Sequence, residues 1–269
     1  MKRLTNAEIG KITQLIKEGN SLKQIATAVN KSKTTVYYHF RKIKGRTVKP
    51  AVLSSKNEEL IGEFIGLFAG DGCVYTANNY DYRTYLCFNI TEKEYVQDLI
   101  ENVLIVLFNK KPWVFTRENR LTLCYCAKNI HKLLGKYLIW DKTARKTYSV
   151  QLKNQQHSRK FIIGFIRGNL DSDGYLSEKK ISFASVSPGL IRNIAFFLDN
   201  FKIVHSVRKY KEKRPNRKDI YHINILKRDF NRFLDLIKPR NIKGLNAPTG
   251  IRISERSAPQ RFPDKRLAS

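Results

Sequence analysis

The chain has 269 residues, with 51 lysines and arginines against 23 aspartates and glutamates, which gives a formal net charge of +28. A hydrophobic content of 42% excludes wholesale disorder, and the charge predicts a polyanionic partner such as nucleic acid. No apolar run has the length of a membrane helix, and four clustered cysteines are too few for a secreted disulfide framework. We therefore expect an intracellular, cytoplasmic protein that does not bind membranes, in a prokaryotic, phage-like or organellar setting.

Residues 1–45 carry the pattern of three short helices. Their predicted starts hold capping residues: Thr5 with Glu8, Ser21 with Gln24, and Ser32. Asn30 lies between the second and third helices, where it tolerates the left-handed backbone that a tight turn requires. Small Ala26 lets two helices cross closely, and apolar Val36 is expected under the crossing.

This spacing of Ala26, Asn30 and Val36 resembles the helix-turn-helix family, although that family usually has glycine in the place of Asn30. The resemblance implies that the third helix enters the major groove of DNA through its first residues: Lys33, Thr34, Thr35, Tyr37 and Tyr38. A three-helix module for protein interaction is the alternative. Residues 46–55 then form a basic segment that contains proline and lacks helical periodicity, which predicts a linker.

Two copies of a short motif organise the rest of the chain. The first reads FIGLFAGDG and ends at Asp71-Gly72, and the second reads IRGNLDSDG and ends at Asp173-Gly174. Each copy has a small residue at every fourth position: Gly62, Gly66 and Gly70 in one, and Gly164, Gly168 and Ser172 in the other. Such positions form one stripe on a helix, and two stripes allow close backbone packing. Parallel packing would bring Asp71 and Asp173 together at one end.

The segments after the two motifs predict the same order of elements. Each copy reads as helix, strand, strand, helix, strand, strand, helix, within residues 56–150 and 151–240. From Arg83 to Ile90, polar and apolar residues alternate, so one sheet face is apolar and the other is polar. We therefore predict an α+β fold with two pseudo-symmetric αββαββα repeats and antiparallel sheets. It follows the three N-terminal helices and precedes a basic tail at residues 241–269.

The two motifs and the repeated order resemble the LAGLIDADG homing endonucleases in their single-chain, two-repeat form, over about residues 56–240. The first motif departs from the family at Ala69, where aspartate is usual. The resemblance implies that the sheets form a saddle along the major groove. It also implies the side chains that read bases: Arg83, Tyr85 and Asn89 in the first repeat, and Arg208, Lys209 and Lys211 in the second.

Two carboxylates at adjacent helix ends, without a histidine or cysteine cage, suit hard divalent cations such as Mg²⁺, for which Mn²⁺ can substitute. Phosphodiester hydrolysis needs an activated water and neutralised charge on the reacting oxygens, and such cations supply both. By resemblance, Asp71 and Asp173 hold the metal, and the backbone carbonyls of Gly70 and Ser172 complete its coordination. The alternative is that each Asp-Gly pair only turns a helix into a strand.

The family also places a basic residue near each active site, at the end of the second strand of a repeat. In the first repeat this position matches Lys93, which the resemblance implies as a catalytic group. An ordinary surface lysine at a helix start is the alternative. The second repeat has Val186 at the matching position, so we expect the two DNA strands to be cut at unequal rates. The basic residue that is missing at position 186 could be replaced by Lys179, Lys180 or Lys209.

The sequence thus predicts a monomeric, site-specific endonuclease that cuts double-stranded DNA at a long asymmetric target. Two other functions fit the same scaffold: a DNA-binding regulator that does not cut, and an RNA maturase for a host intron. Retention of both Asp71 and Asp173 argues against the regulator, because a protein that only binds has no use for two apposed carboxylates facing phosphate.

Overall fold

The protein is described by a computed structural model over residues 4–44, 51–77, 81–141, 143, 145–212, 214 and 217–241. The chain divides into two compact units, residues 1–51 and residues 52–269. Within those described ranges, every helix is too short or too polar to span a bilayer.

The first unit contains three helices: α1 (Asn6–Lys17), α2 (Leu22–Ala28) and α3 (Lys33–Lys44). Both capping boxes form, and the Ser32 hydroxyl accepts a hydrogen bond of 3.2 Å from the amide of Thr35. Asn30 has φ of 50°, the left-handed conformation predicted for the turn before α3. The buried core is Ile12, Ile16, Ile25, Ala26 and Val36. The prediction of three helices around Ala26 and Val36 is confirmed.

The first repeat begins with a helix whose C-terminus leads directly into a strand. Its elements are α4 (Glu58–Asp71), β1 (Gly72–Ala77), β2 (Asp81–Asn89), α5 (Lys93–Leu99), a π-helical turn (Ile100–Leu104), α6 (Ile105–Phe108), β3 (Trp113–Arg117), β4 (Arg120–Cys126) and α7 (Lys128–Tyr137). The four strands form an antiparallel sheet in the order β1-β2-β4-β3. The π-helical turn continues α5 into α6, and the sequence does not predict it, because its apolar spacing matches that of an α-helix.

A short connector joins the repeats and is also absent from the predicted elements. It contains β5 (Leu138–Ile139), α8 (Lys146–Ser149) and β6 (Gln151–Leu152), with β5 and β6 paired in antiparallel. Elements of two to four residues are too short to show a hydrophobic period, so the sequence gives no signal for them.

The second repeat repeats the order of the first. Its elements are α9 (Arg159–Asp173), β7 (Gly174–Ser177), β8 (Lys180–Ser185), α10 (Pro188–Asn200), β9 (His205–Tyr210), β10 (Ile220–Ile225) and α11 (Phe230–Ile237). Its sheet has the order β7-β8-β10-β9, which matches the order in the first sheet. The prediction of two αββαββα repeats with antiparallel sheets is therefore confirmed.

Each sheet has one face covered by helices and one open face. In the first sheet, Leu86 and Leu123 are buried on the covered face, where Tyr125 packs its ring against Phe108 of α6. In the second sheet, Phe183 packs against Phe233 of α11. The alternate residues of the same strands point to the open faces.

The predicted linker (residues 46–55) and the predicted C-terminal tail (residues 241–269) lie partly outside the described residues. At the end of the predicted linker, the amides of Val52 and Ser54 donate hydrogen bonds to the carbonyls of Phe108 and Leu107 at the end of α6. The predicted tail lies outside the described residues from 242 onward. The described chain therefore ends at Asn241, which packs against α9.

Candidate active site

Helices α4 and α9 pack with their backbones in direct contact. Four glycines each face a carbonyl oxygen of the other helix, with no room for a Cβ atom: Gly62 faces Phe161, Gly66 faces Phe165, Gly164 faces Glu59, and Gly168 faces Glu63. Residue numbers rise together along both helices at these contacts, so the helices are parallel. The stripes of small residues are thus the surface that joins the two repeats.

The parallel arrangement brings the C-termini of both helices together. A Cβ atom built on Gly70 would lie 3.0 Å from the Asp173 carboxylate and even closer to the Ser172 hydroxyl. Asp71 follows Gly70 at the end of α4, and Asp173 is the last residue of α9. Asp173 is exposed and Asp71 is partly exposed. The structure therefore places one carboxylate from each repeat at a shared, solvent-accessible helix end.

The protein alone supplies few ligands at this point. In the part of the chain that the structure describes, no cluster of three or more His, Cys, Asp or Glu side chains is suited to hold a metal ion. Two carboxylates fit hard cations that take their remaining ligands from water and phosphate. The Gly70 carbonyl is a predicted metal ligand. Its oxygen accepts a hydrogen bond of 3.0 Å from Lys146 Nζ, so one of the two lone pairs of this oxygen remains for a metal ion.

Lys146 is the functional candidate that the sequence did not reveal. It begins α8 in the connector, and its ammonium donates to three consecutive carbonyls at the end of α4: Phe68 at 2.6 Å, Ala69 at 2.8 Å and Gly70 at 3.0 Å. Burial lowers the pKa of Lys146 to about 8, although the carboxylates of Asp173 and Asp71 act in the opposite direction. Lys146 is therefore a cation at a helix C-terminus, beside both candidate metal ligands.

Lys93 belongs to the helix that follows the second strand of the first repeat. It is exposed in the first turn of α5. Its neighbour Glu92 accepts a hydrogen bond of 2.8 Å from the Asn89 amide in a capping box. A catalytic role for Lys93 stays a prediction, and Lys146 is the lysine that the structure brings to the helix ends.

The arginine of the second motif, Arg167, lies in a buried ionic network. Arg167 donates to Glu63 at 3.0 Å, to Glu59 at 2.6 Å and to the carbonyl of Ile237 at 2.7 Å. Arg240 reaches the other oxygen of Glu63 at 2.5 Å. Glu63 is fully buried, so these two arginines provide the charge compensation that a buried carboxylate requires.

Asp171, the first of the two acidic residues of that motif, has a structural role. It accepts hydrogen bonds of 3.2 Å from the backbone amides of Arg240 and Asn241. Burial raises the pKa of Asp171 to about 7, and the nearby Glu63 carboxylate adds to the rise. The side chain therefore fastens the end of the described chain to α9.

Three predicted recognition residues lie on or beside the open face of the first sheet. Arg83 is exposed, with its guanidinium 6.0 Å from the centre of the Tyr75 ring. Tyr85 lies on the same face but is largely covered by its neighbours. Asn89, at the end of β2, uses its Oδ1 to accept a hydrogen bond of 3.0 Å from the Thr91 amide, so this oxygen caps a helical turn.

The three predicted basic residues of the second sheet do not share one face. Arg208 pairs with His222 on the open face. Lys209 points to the opposite face, as strand alternation requires, and forms an ion pair of 2.9 Å with Asp219. Lys211 lies just beyond the end of β9 and is exposed. Of these three, Arg208 alone lies on the open face.

In the N-terminal unit, the predicted recognition residues lie in the first two turns of α3. Lys33, Thr34 and Tyr38 are exposed. Tyr37 is partly buried, and Thr35 lies 2.9 Å from the Ser32 hydroxyl. The exposed side chains form the kind of accessible surface on α3 that binding in the major groove of DNA requires.

Two segments of the chain match known protein families. Residues 160–238 match the family model of a LAGLIDADG-like domain, and residues 1–42 match that of a helix-turn-helix domain. No curated protein matches the sequence. Three solved structures of I-DmoI, which is called a homing endonuclease, have similar folds and each cover 68% of this chain.

The first, in complex with DNA and Mn, is 17% identical with a TM-score of 0.53 over 97% of that chain. The second, a mesophilic variant, is 17% identical with a TM-score of 0.50 over 98%. The third, in complex with DNA and Ca, is 18% identical with a TM-score of 0.50 over 91%. Residues 160–238 are therefore similar to LAGLIDADG-like domains, residues 1–42 are similar to helix-turn-helix domains, and the chain shares the fold of I-DmoI.

Proposed function

We propose that the protein is a site-specific, divalent-metal-dependent endonuclease that cuts double-stranded DNA as a monomer. The observation that carries this proposal is the pair of carboxylates, Asp71 and Asp173, at the meeting C-termini of two parallel helices from different repeats. One carboxylate per repeat matches one active centre per DNA strand. The open sheet faces and the net charge of +28 support a long, asymmetric duplex as the substrate.

Each residue at the helix ends has a distinct task in this proposal. Asp71 and Asp173 would hold divalent cations, Mg²⁺ or Mn²⁺, and these would supply an activated water and neutralise charge at the scissile phosphates. The close packing at Gly70 and Ser172 fixes the spacing of the two carboxylates. Lys146 holds the last turn of α4 through three carbonyls and thereby orients Asp71. Its charge also opposes the negative charge that develops on phosphate.

The function is tested by incubating the full-length protein with Mg²⁺ and a library of long duplexes. We expect a double-strand break at one sequence, abolished by a metal chelator and restored by added Mg²⁺ or Mn²⁺. Binding to a duplex without any cleavage would instead favour a regulator. Binding to structured intron RNA in preference to every duplex would favour a maturase.

Replacing Lys146 by methionine should lower the cleavage rate by about 10²-fold, with little change in DNA affinity. The variant loses the cation beside both carboxylates and the three hydrogen bonds at the end of α4. Single-turnover cleavage on the selected duplex measures the effect, and thermal melting shows whether the fold is kept.

Lys93→Met is the matched comparison for Lys146→Met, because Lys93 is the lysine that the sequence suggested. Its exposed position on α5 predicts a smaller effect than that of Lys146. A large loss for Lys93→Met with none for Lys146→Met would assign the catalytic cation to Lys93 instead.

Deleting residues 1–50 should weaken DNA binding and shorten the footprint on one side, while the cut position stays the same. A helix-turn-helix on a linker increases the local concentration of the nuclease near one flank of its target. The slope of log affinity against log salt should fall by about 0.9 for every phosphate that the shortened protein no longer neutralises. Footprinting of both proteins on the same duplex measures the change. An identical footprint would instead favour a role at another site, such as the protein's own promoter.

A further inference from the structure

The edge strand of the first sheet exposes large apolar side chains on its open face. Trp113 is 61% exposed and Phe115 is 41% exposed. The strand register places Trp113 opposite Cys124, and Phe115 opposite Thr122. Both are on the opposite side of the strand from Val114, which lies on the face of buried Leu123. An exposed apolar cluster of this kind on a protein surface marks an interaction site.

Small and weakly polar side chains continue this cluster across the sheet. Cys124 pairs with Tyr85 on β2, and Tyr85 pairs with Cys73 on β1. Thr122 pairs with Cys87. We call these seven side chains the apolar rows: Trp113, Cys124, Tyr85 and Cys73 in one row, and Phe115, Thr122 and Cys87 in the other. Burial raises the pKa of Cys73 to about 11 and that of Cys124 to about 12, so these thiols carry no charge at neutral pH.

Arginines flank the apolar rows at both ends of the strands. Arg83 pairs with Cys126 beyond the first row. Arg117 and Arg120 face each other beyond the second row. The guanidinium groups can contact phosphates, and the apolar rows between them can contact apolar groups. This combination fits a polyanion that presents apolar groups between its phosphates. Duplex DNA meets that description at the thymine methyl groups of the major groove.

The open face of the second sheet has a different chemistry at the corresponding strand. On β9, Ser206 pairs with Asn224, Arg208 pairs with His222, and the exposed Tyr210 pairs with Ile220. Apart from Ile220, each of these side chains carries a group that donates or accepts hydrogen bonds, whereas Trp113 and Phe115 offer only apolar surface and the Trp113 indole N–H. The two repeats therefore differ in what they can recognise on base edges.

We propose that the first sheet selects thymine through contacts of Trp113 and Phe115 with C5-methyl groups, in the half of the target that this repeat covers. This inference rests on the proposed function, since it requires a specific DNA duplex. The second repeat instead reads its half of the target through hydrogen bonds. The protein is therefore expected to prefer thymine on one side of the cut site, at the positions that Trp113 and Phe115 contact.

The test begins with selection of binding duplexes from a random library by the full-length protein. The selected duplex is then resynthesised with deoxyuridine in place of thymidine at single positions, which removes only the methyl group. We expect binding to weaken by about fourfold for each contacted methyl, in one half of the site only. The same change in the other half should have no effect.

Variants of the edge strand connect this effect to the named residues. The double variant Trp113→Ala, Phe115→Ala should bind thymine and uracil duplexes equally. Val114→Ala is the matched control, because Val114 is 45% exposed on the same strand but points to the other face, and it should keep the preference. Circular dichroism verifies that both variants are folded.

The outcomes separate this inference from the function on which it rests. If the protein selects and cuts a duplex but binds its uracil forms as tightly as the thymine form, thymine selection is wrong and the nuclease proposal stands. A penalty for uracil that persists unchanged in the double variant would also overturn the assignment to Trp113 and Phe115. If no duplex is selected or cut, both proposals are overturned.

Discussion

Asp71→Asn or Asp173→Asn should each abolish double-strand cleavage, with a loss of at least about 10³-fold, while DNA binding is largely kept. Asparagine has nearly the same shape as aspartate but lacks the negative charge that holds a divalent cation. The sheets that we propose as the DNA-binding surfaces are unchanged, so affinity should depend on the same side chains as before. Cleavage of a plasmid that carries the selected target, measured beside a binding assay, separates the two properties.

The matched control is Asp171→Asn, which changes the other acidic residue of the second motif. Asp171 is buried and bonded to the backbone of residues 240 and 241, so its substitution should leave cleavage within a few-fold of the original protein. A double variant, Asp71→Asn with Asp173→Asn, that still linearises the target plasmid would contradict the assignment of these carboxylates to the chemistry.

Replacing Gly164 by alanine should destabilise the nuclease unit by about 2–3 kcal/mol. The added Cβ atom would meet the carbonyl oxygen of Glu59 and the amide nitrogen of Glu63, and backbone atoms cannot rotate away as a flexible side chain can. The two helices must then separate along their whole contact. Urea denaturation of the purified variant measures the decrease in the free energy of unfolding.

Gly135→Ala is the matched control for Gly164→Ala. Gly135 lies in α7, and a Cβ atom there would meet no neighbouring atom within 4 Å. Alanine in a helix is more favourable than glycine, so this variant should be stabilised by about 0.5–1 kcal/mol. Equal destabilisation of both variants would mean that close backbone contact is not the reason for glycine at position 164.

The pairing of α4 with α9 could be predicted from the sequence because it depends on residues that are close together along each helix. Small residues at every fourth position define a stripe, and the same stripe before two Asp-Gly pairs indicates two partner helices. The caps at Thr5, Ser21 and Ser32 are predictable for a similar reason, since each depends on residues only three positions apart. Alternation on β2 likewise predicts which residues face the helices.

Contacts between distant segments could not be predicted in this way. Lys146 lies in a connector without periodicity, and only the folded chain brings it to the end of α4. Arg167 lies within the second motif, but its partner Glu63 lies on another helix, and the sequence does not indicate that the two pair. Charge alone groups Lys209 with Arg208, whereas the position of each residue along β9 decides which face it occupies.

The backbone contact between α4 and α9 separates two kinds of evolutionary constraint. The positions that join the repeats are occupied by glycines on two helices, and the positions that we propose to face DNA lie on the open faces of two sheets. Substitutions on the sheets therefore leave the spacing of Asp71 and Asp173 unchanged. Such a chain can change its specificity for one half of the target at a time while the catalytic residues stay the same. Each sheet can also be redesigned independently of the other.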